Sequence, residues 1–288
     1  MNAWISAQQA RIEQALLQTF NHCEQHAVRA NLLAAMRYAV LGGGKRARAL
    51  LVYASSALNP DTNNELADAA AVAVELIHAY SLVHDDLPCM DDDDMRRGKP
   101  STHKAYGEAT AMLAGDALQT LAFEVLANAP AQPQQVLELI RTLACASGHR
   151  GMAGGQALDL SLTGEHFDEQ VLQNLHACKT GALISAAVKM GCICAGVERP
   201  ELSSFAQCLG LAFQVQDDVL DVTSDSGTLG KTAGKDATQN KTTYVSLLGL
   251  EGAAHKIQQL NAEASRLVRG DHTQALTIVQ AYLLQRKS

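Results

Sequence analysis

The chain has 288 residues, 47% of them hydrophobic and 18% charged, and its formal net charge at pH 7 is −7. Such a sequence is too apolar for a disordered protein, and its negative charge argues against binding nucleic acid by bulk neutralisation of phosphates. No uninterrupted apolar run reaches the roughly 18 residues of a membrane-spanning helix, and the N-terminus lacks the basic and apolar blocks of a signal peptide. We therefore expect a cytoplasmic protein with no nucleic-acid or membrane partner.

Apolar residues recur with a helical period along most of the chain, and no alternating strand pattern competes with them. Helices are predicted over residues 3–20, 66–84, 105–127, 134–147, 167–194, 201–222, 244–268 and 273–286. The segment 66–84 is the clearest, and Thr62 followed by Glu65 predicts a capping box at its start. Five of the six prolines fall between these helices, and no Pro/Ser-rich linker divides the chain. The sequence therefore predicts one all-α domain over residues 1–288.

Two acidic clusters follow apolar helical segments. The first holds six aspartates within residues 85–94, and the second contains Asp217, Asp218 and Asp221. A solvated loop would explain the first cluster alone, but a second cluster on an apolar helix favours a binding function. Asp217 and Asp221 are four residues apart, so their Cβ atoms should lie about 5–6 Å apart on one helix face. Hard oxygen ligands favour Mg²⁺, which also binds substrate phosphates, so we expect a phosphorylated substrate.

Pro88 interrupts the first acidic cluster. In an unbroken helix Asp85 and Asp91 would point to different faces, since six residues turn the helix by about 600°. A proline removes a backbone donor and bends a helix. We therefore predict a kink or bulge at Pro88 that turns Asp91 towards the face of Asp85.

Cations occur in several short segments. Residues 42–48 read GGGKRAR, and glycines before three cations at a predicted helix start favour an anion site. Arg96 and Arg97 follow the first acidic cluster directly, and Lys179 precedes Thr180. Residues 227–241 contain glycines and lysines, which predict either a loop that closes over a phosphate or an ordinary surface loop.

Three segments carry a family resemblance: GGGKRAR at 42–48, HAYSLVHDDLPCMDDDDMRRGKPSTH at 78–103 and FQVQDDVLD at 213–221. Together they closely resemble the short-chain trans-prenyl diphosphate synthases, and the match runs through almost the whole chain in the expected order. The resemblance implies a single-domain, all-α helical bundle of the isoprenoid synthase type around a deep central cavity. It also implies a homodimer, with the two aspartate motifs facing each other across the mouth of the cavity.

The resemblance assigns expected roles to individual positions. Three Mg²⁺ ions, with Mn²⁺ as an alternative, are expected on Asp85, Asp91 and Asp217, with support from Asp86, Asp218 and Asp221. The positions that match the allylic diphosphate site are Arg96, Lys179, Thr180, Gln214, Lys231 and Lys241. Those that match the isopentenyl diphosphate site are Gly44, Lys45, Arg48, His78 and Arg97. Tyr80 and Ser81 match the cavity floor that limits product length. Residues 152–159 also resemble the family, but they give no catalytic role to Gln156 or Asp159.

The implied reaction joins isopentenyl diphosphate to dimethylallyl diphosphate and then to geranyl diphosphate. The aromatic Tyr80 favours the fifteen-carbon farnesyl diphosphate as product, and geranylgeranyl diphosphate is the alternative. Two other classes stay open at this point. His84 beside Asp85 is compatible with an all-α, metal-dependent phosphohydrolase, which would leave the segment 42–48 unexplained. A regulatory, non-enzymatic relative should lack some of the aspartates or cations that this chain retains.

Overall fold

The computed structural model describes residues 2–25, 28–223, 241–270 and 272–284. Its helices are α1 (Ala3–Glu24), α2 (Ala30–Val40), α3 (Ala47–Ser56), α4 (Asn64–Asp85), α5 (Thr102–Tyr106), α6 (Glu108–Ala127), α7 (Pro133–Ser147), α8 (Met152–Ser161), α9 (Glu169–His176), α10 (Ala182–Ala195), α11 (Glu201–Thr223), α12 (Tyr244–Leu267) and α13 (Gln274–Leu284). A π-helical turn, Ala177–Gly181, joins α9 to α10. Among the described residues the strands are limited to a two-residue antiparallel pair, β1 (Met95–Arg96) and β2 (Lys99–Pro100). The predicted all-α class is confirmed, whereas the single-domain organisation and the deep cavity stay predictions.

Helix α4 lies at the centre of the main hydrophobic core. Its buried side chains run from Leu66 to Val83, and it packs against α3, α6 and α10. Two stretches, Asn64–Asp85 and Glu169–Ala195, are long and apolar enough to cross a membrane by length and composition alone. In each case more than half of the apolar window, 72% and 56%, is buried within the fold. These two stretches therefore serve the fold as core helices.

The start of α4 differs from the prediction. Asn63, not Thr62, caps the helix, because its side-chain oxygen accepts a hydrogen bond from the backbone N–H of Glu65 at 2.9 Å. The hydroxyl of Thr62 instead donates to the carbonyl of Ser56 at 2.8 Å. Asparagine is among the preferred N-cap residues, and here it stands one position nearer to the helix. The predicted capping box is wrong.

Two predicted helices are divided in the structure, and three others were not predicted. Gly107 adopts a φ of 86°, which ends α5 and starts α6 inside the predicted segment 105–127. The predicted segment 167–194 contains α9, the π-helical turn and α10. Helix α3 escaped detection because all of its residues from Ala49 to Ser56 are buried, so it has no polar face to create a period. Helices α2 and α8 were also missed. The segments starting at residues 3, 66, 134, 201 and 244 are confirmed with small shifts of their ends, the last with a kink at Gly249. The segment 273–286 is confirmed over Gln274–Leu284, and its last two residues lie outside the described part of the chain.

A second, smaller core lies between α9, α11 and α12. It contains the buried side chains of Leu172, Val215, Tyr244 and Ala253. Thr243 caps α12 in a reciprocal arrangement with Ser246, in which each side chain bonds to the backbone N–H of the other. This core supports the part of α11 that carries the second acidic cluster.

Candidate active site

The first acidic cluster folds back on the end of its own helix. Helix α4 ends at Asp85, and the carbonyl of Asp85 accepts a hydrogen bond from the N–H of Asp91 at 2.8 Å. The carbonyl of Asp86 likewise accepts from the N–H of Asp93 at 3.2 Å. Pro88 stands in the turn after the helix, where proline is common, and does not kink the helix itself. The predicted kink is therefore wrong, but Asp91 does return to Asp85.

Asp86 points away from solvent and binds Arg96. Its side chain is 2% exposed and accepts hydrogen bonds from Arg96 Nε at 3.0 Å and from Arg96 Nη2. Burial raises the pKa of Asp86 even though Arg96 opposes the shift. Arg96 also lies 3.5 Å from Asp93. The Asp86–Arg96 pair therefore orders the chain that follows α4. Arg96 would bind a phosphate while it remains paired with Asp86.

Asp85, the last residue of α4, is a carboxylate with a strongly raised pKa. Burial raises its pKa to about 6, Lys179 opposes that shift, and the nearby Asp91 and Asp86 add to it. A carboxylate held among like charges away from water is destabilised in its ionised form. A divalent cation would remove this penalty, so the donor set fits Mg²⁺.

The three carboxylates of the second acidic cluster have different surroundings. Asp218 is buried and accepts hydrogen bonds from Tyr244 N at 2.8 Å and Gln214 Nε2 at 3.3 Å. Asp221 is also buried, and its Oδ2 has no hydrogen-bond partner among the described residues. Asp217 is half-buried and attracts Arg48 electrostatically. The unpartnered oxygen of Asp221 is a second observation that fits a bound cation.

The π-helical turn carries Lys179 and Thr180 to a position between the two clusters. Burial alone would lower the pKa of Lys179, but the carboxylates of Asp159, Asp85 and Asp91 raise it. The hydroxyl of Thr180 donates to Gln214 Oε1 at 3.0 Å, and Gln214 in turn contacts Asp218. The turn thus adjoins the first cluster through its lysine and the second through its threonine.

A small cavity lies beside this turn. Its volume is about 90 Å³, and its lining includes Asp159, His176, Lys179, Asp218 and Lys241. Burial lowers the pKa of His176 to about 4, so its ring is neutral at pH 7. The predicted loop closure by Lys231 concerns residues outside the described part of the chain.

Four of the residues predicted for isopentenyl diphosphate, Gly44, Arg48, His78 and Arg97, also come together. Burial and the neighbouring guanidinium groups, first that of Arg48 and then that of Arg97, hold the pKa of His78 well below its ordinary value. Arg48 Nε is buried without a hydrogen-bond partner among the described residues. Arg97 donates to the carbonyl of Gly43 at 2.8 Å and packs on Gly44, whose φ of 128° favours glycine. Such a gathering of half-buried cations is suited to an anion.

The segment 42–48 also contains residues with other surroundings. Arg46 is buried and pairs with Glu13 at 2.7 Å and with Glu75 at 3.5 Å, so it secures the fold. Lys45 is half-buried, and its carbonyl accepts a hydrogen bond from Gln9 at 3.2 Å. Arg46 is therefore held inside the fold by two carboxylates, whereas Arg48 lies beside His78.

Tyr80 and Ser81 lie one turn before the end of α4. The ring of Tyr80 is 8% exposed and meets His84 edge to face, with ring centroids 5.7 Å apart. The hydroxyl of Ser81 donates to the carbonyl of His78 within the same helix at 2.9 Å. Their role as a floor for the product stays a prediction.

Sequence reasoning missed several polar contacts near the site. Asp92, Asp94 and His103 place one possible ligand atom each within 4.8 Å of one another, and Asp94 also pairs with Lys104 at 2.8 Å. Asp159 pairs with Lys179 at 2.7 Å across 20 residues of sequence. Spacing along the chain gives no signal for such long-range pairs.

Comparisons with known proteins agree with this geometry. The profile of the family described as Polyprenyl synthetase matches residues 29–280. The chain is 49% identical to a protein named farnesyl diphosphate synthase from Escherichia coli (strain K12), over 87% of this chain and 88% of that protein. It is also 49% identical to a chloroplastic geranylgeranyl pyrophosphate synthase from Capsicum annuum, over 82% of this chain and 65% of that one. The crystal structure of a Helicobacter pylori geranyltransferase, complexed with magnesium and isoprenyl diphosphate, aligns with a TM-score of 0.84 at 34% identity and covers 97% and 98% of the two chains.

Proposed function

This chain belongs to the polyprenyl synthetase family, and from that premise we propose that it condenses isopentenyl diphosphate with dimethylallyl and then geranyl diphosphate to give farnesyl diphosphate. It is a prenyltransferase, and bacterial relatives named farnesyl diphosphate synthase match it at 46% to 49% identity over most of its length. Relatives named for geranylgeranyl products also match. The alternative activity would therefore differ in the length of the prenyl product.

One observation carries the proposal. The turn with Lys179 and Thr180 adjoins both acidic clusters. Lys179 lies within electrostatic range of Asp85 and Asp91, and Thr180 donates to Gln214, which in turn donates to Asp218. A phosphate beside Lys179 would therefore lie between two sets of carboxylates. That arrangement is useful only if cations stand between the carboxylates and the phosphate, which is how a diphosphate and Mg²⁺ are bound together.

Members of this family use Mg²⁺ through the aspartate-rich motif, and the residues present here fit that ion. We assign its binding to Asp85, Asp91 and Asp217, with Asp86, Asp218 and Asp221 in support, and we expect three ions. Mn²⁺ is the alternative ion. When bound, the metal stabilises the negative charge that develops on the allylic diphosphate as its C–O bond breaks. His103 near Asp92 and Asp94 adds a further possible donor to the same run.

The protein's own side chains hold and orient the two substrates. Lys179 and Lys241, with Thr180, Gln214 and Arg96, would bind the allylic diphosphate, and Lys231 would join them. Gly44, Lys45, Arg48, His78 and Arg97 would bind isopentenyl diphosphate.

The two cation groups fix the relative positions of the reacting carbons, which is a large part of the catalytic effect. The allylic C–O electron pair leaves with the diphosphate, the isopentenyl double bond supplies the electrons of the new C–C bond, and the departing diphosphate takes the proton that is lost.

The substrates, the oligomer and the location follow from the same proposal. The substrates are isopentenyl, dimethylallyl and geranyl diphosphates, and the protein works in the cytoplasm as a single-domain homodimer. Two adjacent exposed apolar side chains on α6, those of Met112 and Leu113, support a dimer through that helix.

Radiolabelled isopentenyl diphosphate separates the candidate functions. The protein is incubated with Mg²⁺ and either dimethylallyl, geranyl or farnesyl diphosphate, and extracted products are identified by mass spectrometry. Label in a fifteen-carbon product supports the proposal, and label in a twenty-carbon product identifies a geranylgeranyl diphosphate synthase. Release of diphosphate without incorporation indicates a phosphohydrolase, and the absence of both reactions indicates a regulatory subunit.

A further inference from the structure

Asp159 on α8 binds two lysines at once through a single oxygen atom. Its Oδ2 lies 2.7 Å from Lys179 Nζ and 3.5 Å from Lys241 Nζ. The side chain of Asp159 is 15% exposed, and the side chains of Lys179 and Lys241 are 26% and 19% exposed. Burial alone would raise the pKa of Asp159, but the two lysines hold it below its ordinary value. The three side chains therefore form one charged group that spans α8, the π-helical turn and the start of the chain that leads into α12.

The fold determines where this carboxylate lies. A Cβ atom placed on Gly155 would stand 2.3 Å from the backbone nitrogen of Lys179 and 2.6 Å from its Cα. Helix α8 can therefore touch the π-helical turn only because residue 155 has no side chain. Asp159 follows Gly155 by four residues and so lies on the same face of α8, one turn further on. Close packing at the glycine thus directs the carboxylate to the lysine.

Lys179 has other carboxylates within its electrostatic reach. Asp85 and Asp91 also raise its pKa, after the larger effect of Asp159. Without Asp159 the ammonium group of Lys179 would be attracted to the first acidic cluster, where it would compete with a metal ion for the same oxygens. Lys241 would lose its only ion-pair partner among the described residues.

We infer that Asp159 is a positioning residue that holds Lys179 and Lys241 together, so that both ammonium groups face one allylic diphosphate while Asp85 and Asp91 stay available to the metal. This role rests on the proposed function, since it concerns the same site. It predicts that loss of the carboxylate weakens the binding of the allylic substrate and of the metal. The binding of isopentenyl diphosphate should be much less affected.

The variant Asp159→Asn tests the inference, because it keeps the shape of the side chain and removes its charge. We expect the KM for geranyl diphosphate to rise at least tenfold and the Mg²⁺ concentration for half-maximal rate to rise several-fold. The KM for isopentenyl diphosphate should stay within twofold of the wild-type value. Asp159→Glu, which restores the charge, should recover most of the loss.

Glu169→Gln is the matched control. Glu169 on α9 pairs with Lys256 on α12 at 2.7 Å, so this pair is also a carboxylate–lysine bridge to α12, but neither residue belongs to the site. The control should leave all three parameters unchanged. Equal rises in both KM values for Asp159→Asn, or no difference from Glu169→Gln, would overturn the positioning role.

Two further measurements keep the outcome clear. Circular dichroism would show whether Asp159→Asn folds. If it does not, calorimetry with Mg²⁺ and inorganic diphosphate compares Asp159→Glu, which keeps the carboxylate, with Lys241→Gln, which removes one of its two lysines. Asp159→Glu should bind with near wild-type affinity, and Lys241→Gln should not. Wild-type protein that incorporates no labelled isopentenyl unit would contradict the proposed function itself. Active wild-type protein with an unaffected Asp159→Asn variant would contradict only the inference about Asp159.

Discussion

Asp85 should lower the stability of the metal-free protein, and replacing it with asparagine should reveal by how much. Its pKa rises from 3.8 to about 6 on folding, chiefly through burial. A shift of this size corresponds to about 3 kcal/mol, at about 1.4 kcal/mol for each pKa unit. The folded protein holds the proton more tightly than the unfolded chain does. Stability is therefore lost as the pH rises from about 4 to about 6, and the full penalty remains above that range.

Asp85→Asn has no such titration, so it should be more stable than the wild type by up to about 3 kcal/mol at pH 8 and equal to it near pH 4. For a chain of this size the difference corresponds to a rise in Tm of roughly 6 to 12 °C. Thermal and urea unfolding in the presence of EDTA would measure it at both pH values. The same variant should be inactive and should gain little stability from Mg²⁺ with inorganic diphosphate, whereas the wild type should gain much.

Asp92→Asn is the control for this experiment. Asp92 belongs to the same acidic run but is exposed, and its φ of 48° is one that asparagine tolerates. Its replacement should change the stability by less than about 0.5 kcal/mol at either pH. The reasoning fails if Asp85→Asn is less stable than the wild type at pH 8, or if its advantage does not depend on pH.

Three more substitutions test other parts of the structure. Tyr80→Ala should lengthen the product, because it removes a buried ring one turn below the first motif; chromatography that still shows only the fifteen-carbon chain would refute this. Gly155→Ala should cost about 1–3 kcal/mol in urea unfolding and raise the KM for the allylic substrate, since its methyl group would meet the backbone of Lys179. Arg46→Ala should lower the free energy of unfolding by about 3–5 kcal/mol, because it leaves Glu75 buried without its cation. A cost below about 1 kcal/mol, as expected for a surface pair such as Arg37 with Glu24 at 3.1 Å, would contradict that account.

The long helices could be predicted from the sequence because each has a polar face that creates a period. Helix α11 was expected over residues 201–222 and is present at Glu201–Thr223. Helix α3 has almost no polar face, so its sequence has no hydrophobic period from which a helix could be predicted. The π-helical turn at Ala177–Gly181 could not be predicted either, because its apolar pattern does not differ from that of the helices beside it.

The candidate site divides in the same way. The acidic clusters stand out locally, and residues 42–48 and 78–103 carry the family resemblance that grouped the cations by substrate. The partners of those side chains are not local. Asp218 bonds to the backbone of Tyr244, 26 residues further on, and Asp159 bonds to Lys241, 82 residues further on. Contacts of this kind follow from how α8 and α11 meet the chain at residues 241–244, which the sequence pattern alone does not contain.

The apolar character of α4 also affects how the chain must be made. This helix resembles a membrane segment in length and composition, and it is covered by α6 and α10, which come later in the chain. Between Asp85 and Ala195 a ribosome adds 110 residues, which takes on the order of ten seconds at typical rates of synthesis. Throughout that interval the apolar surface of α4 that α10 later covers would be exposed on the nascent chain, which is the condition in which chaperones bind and aggregation begins.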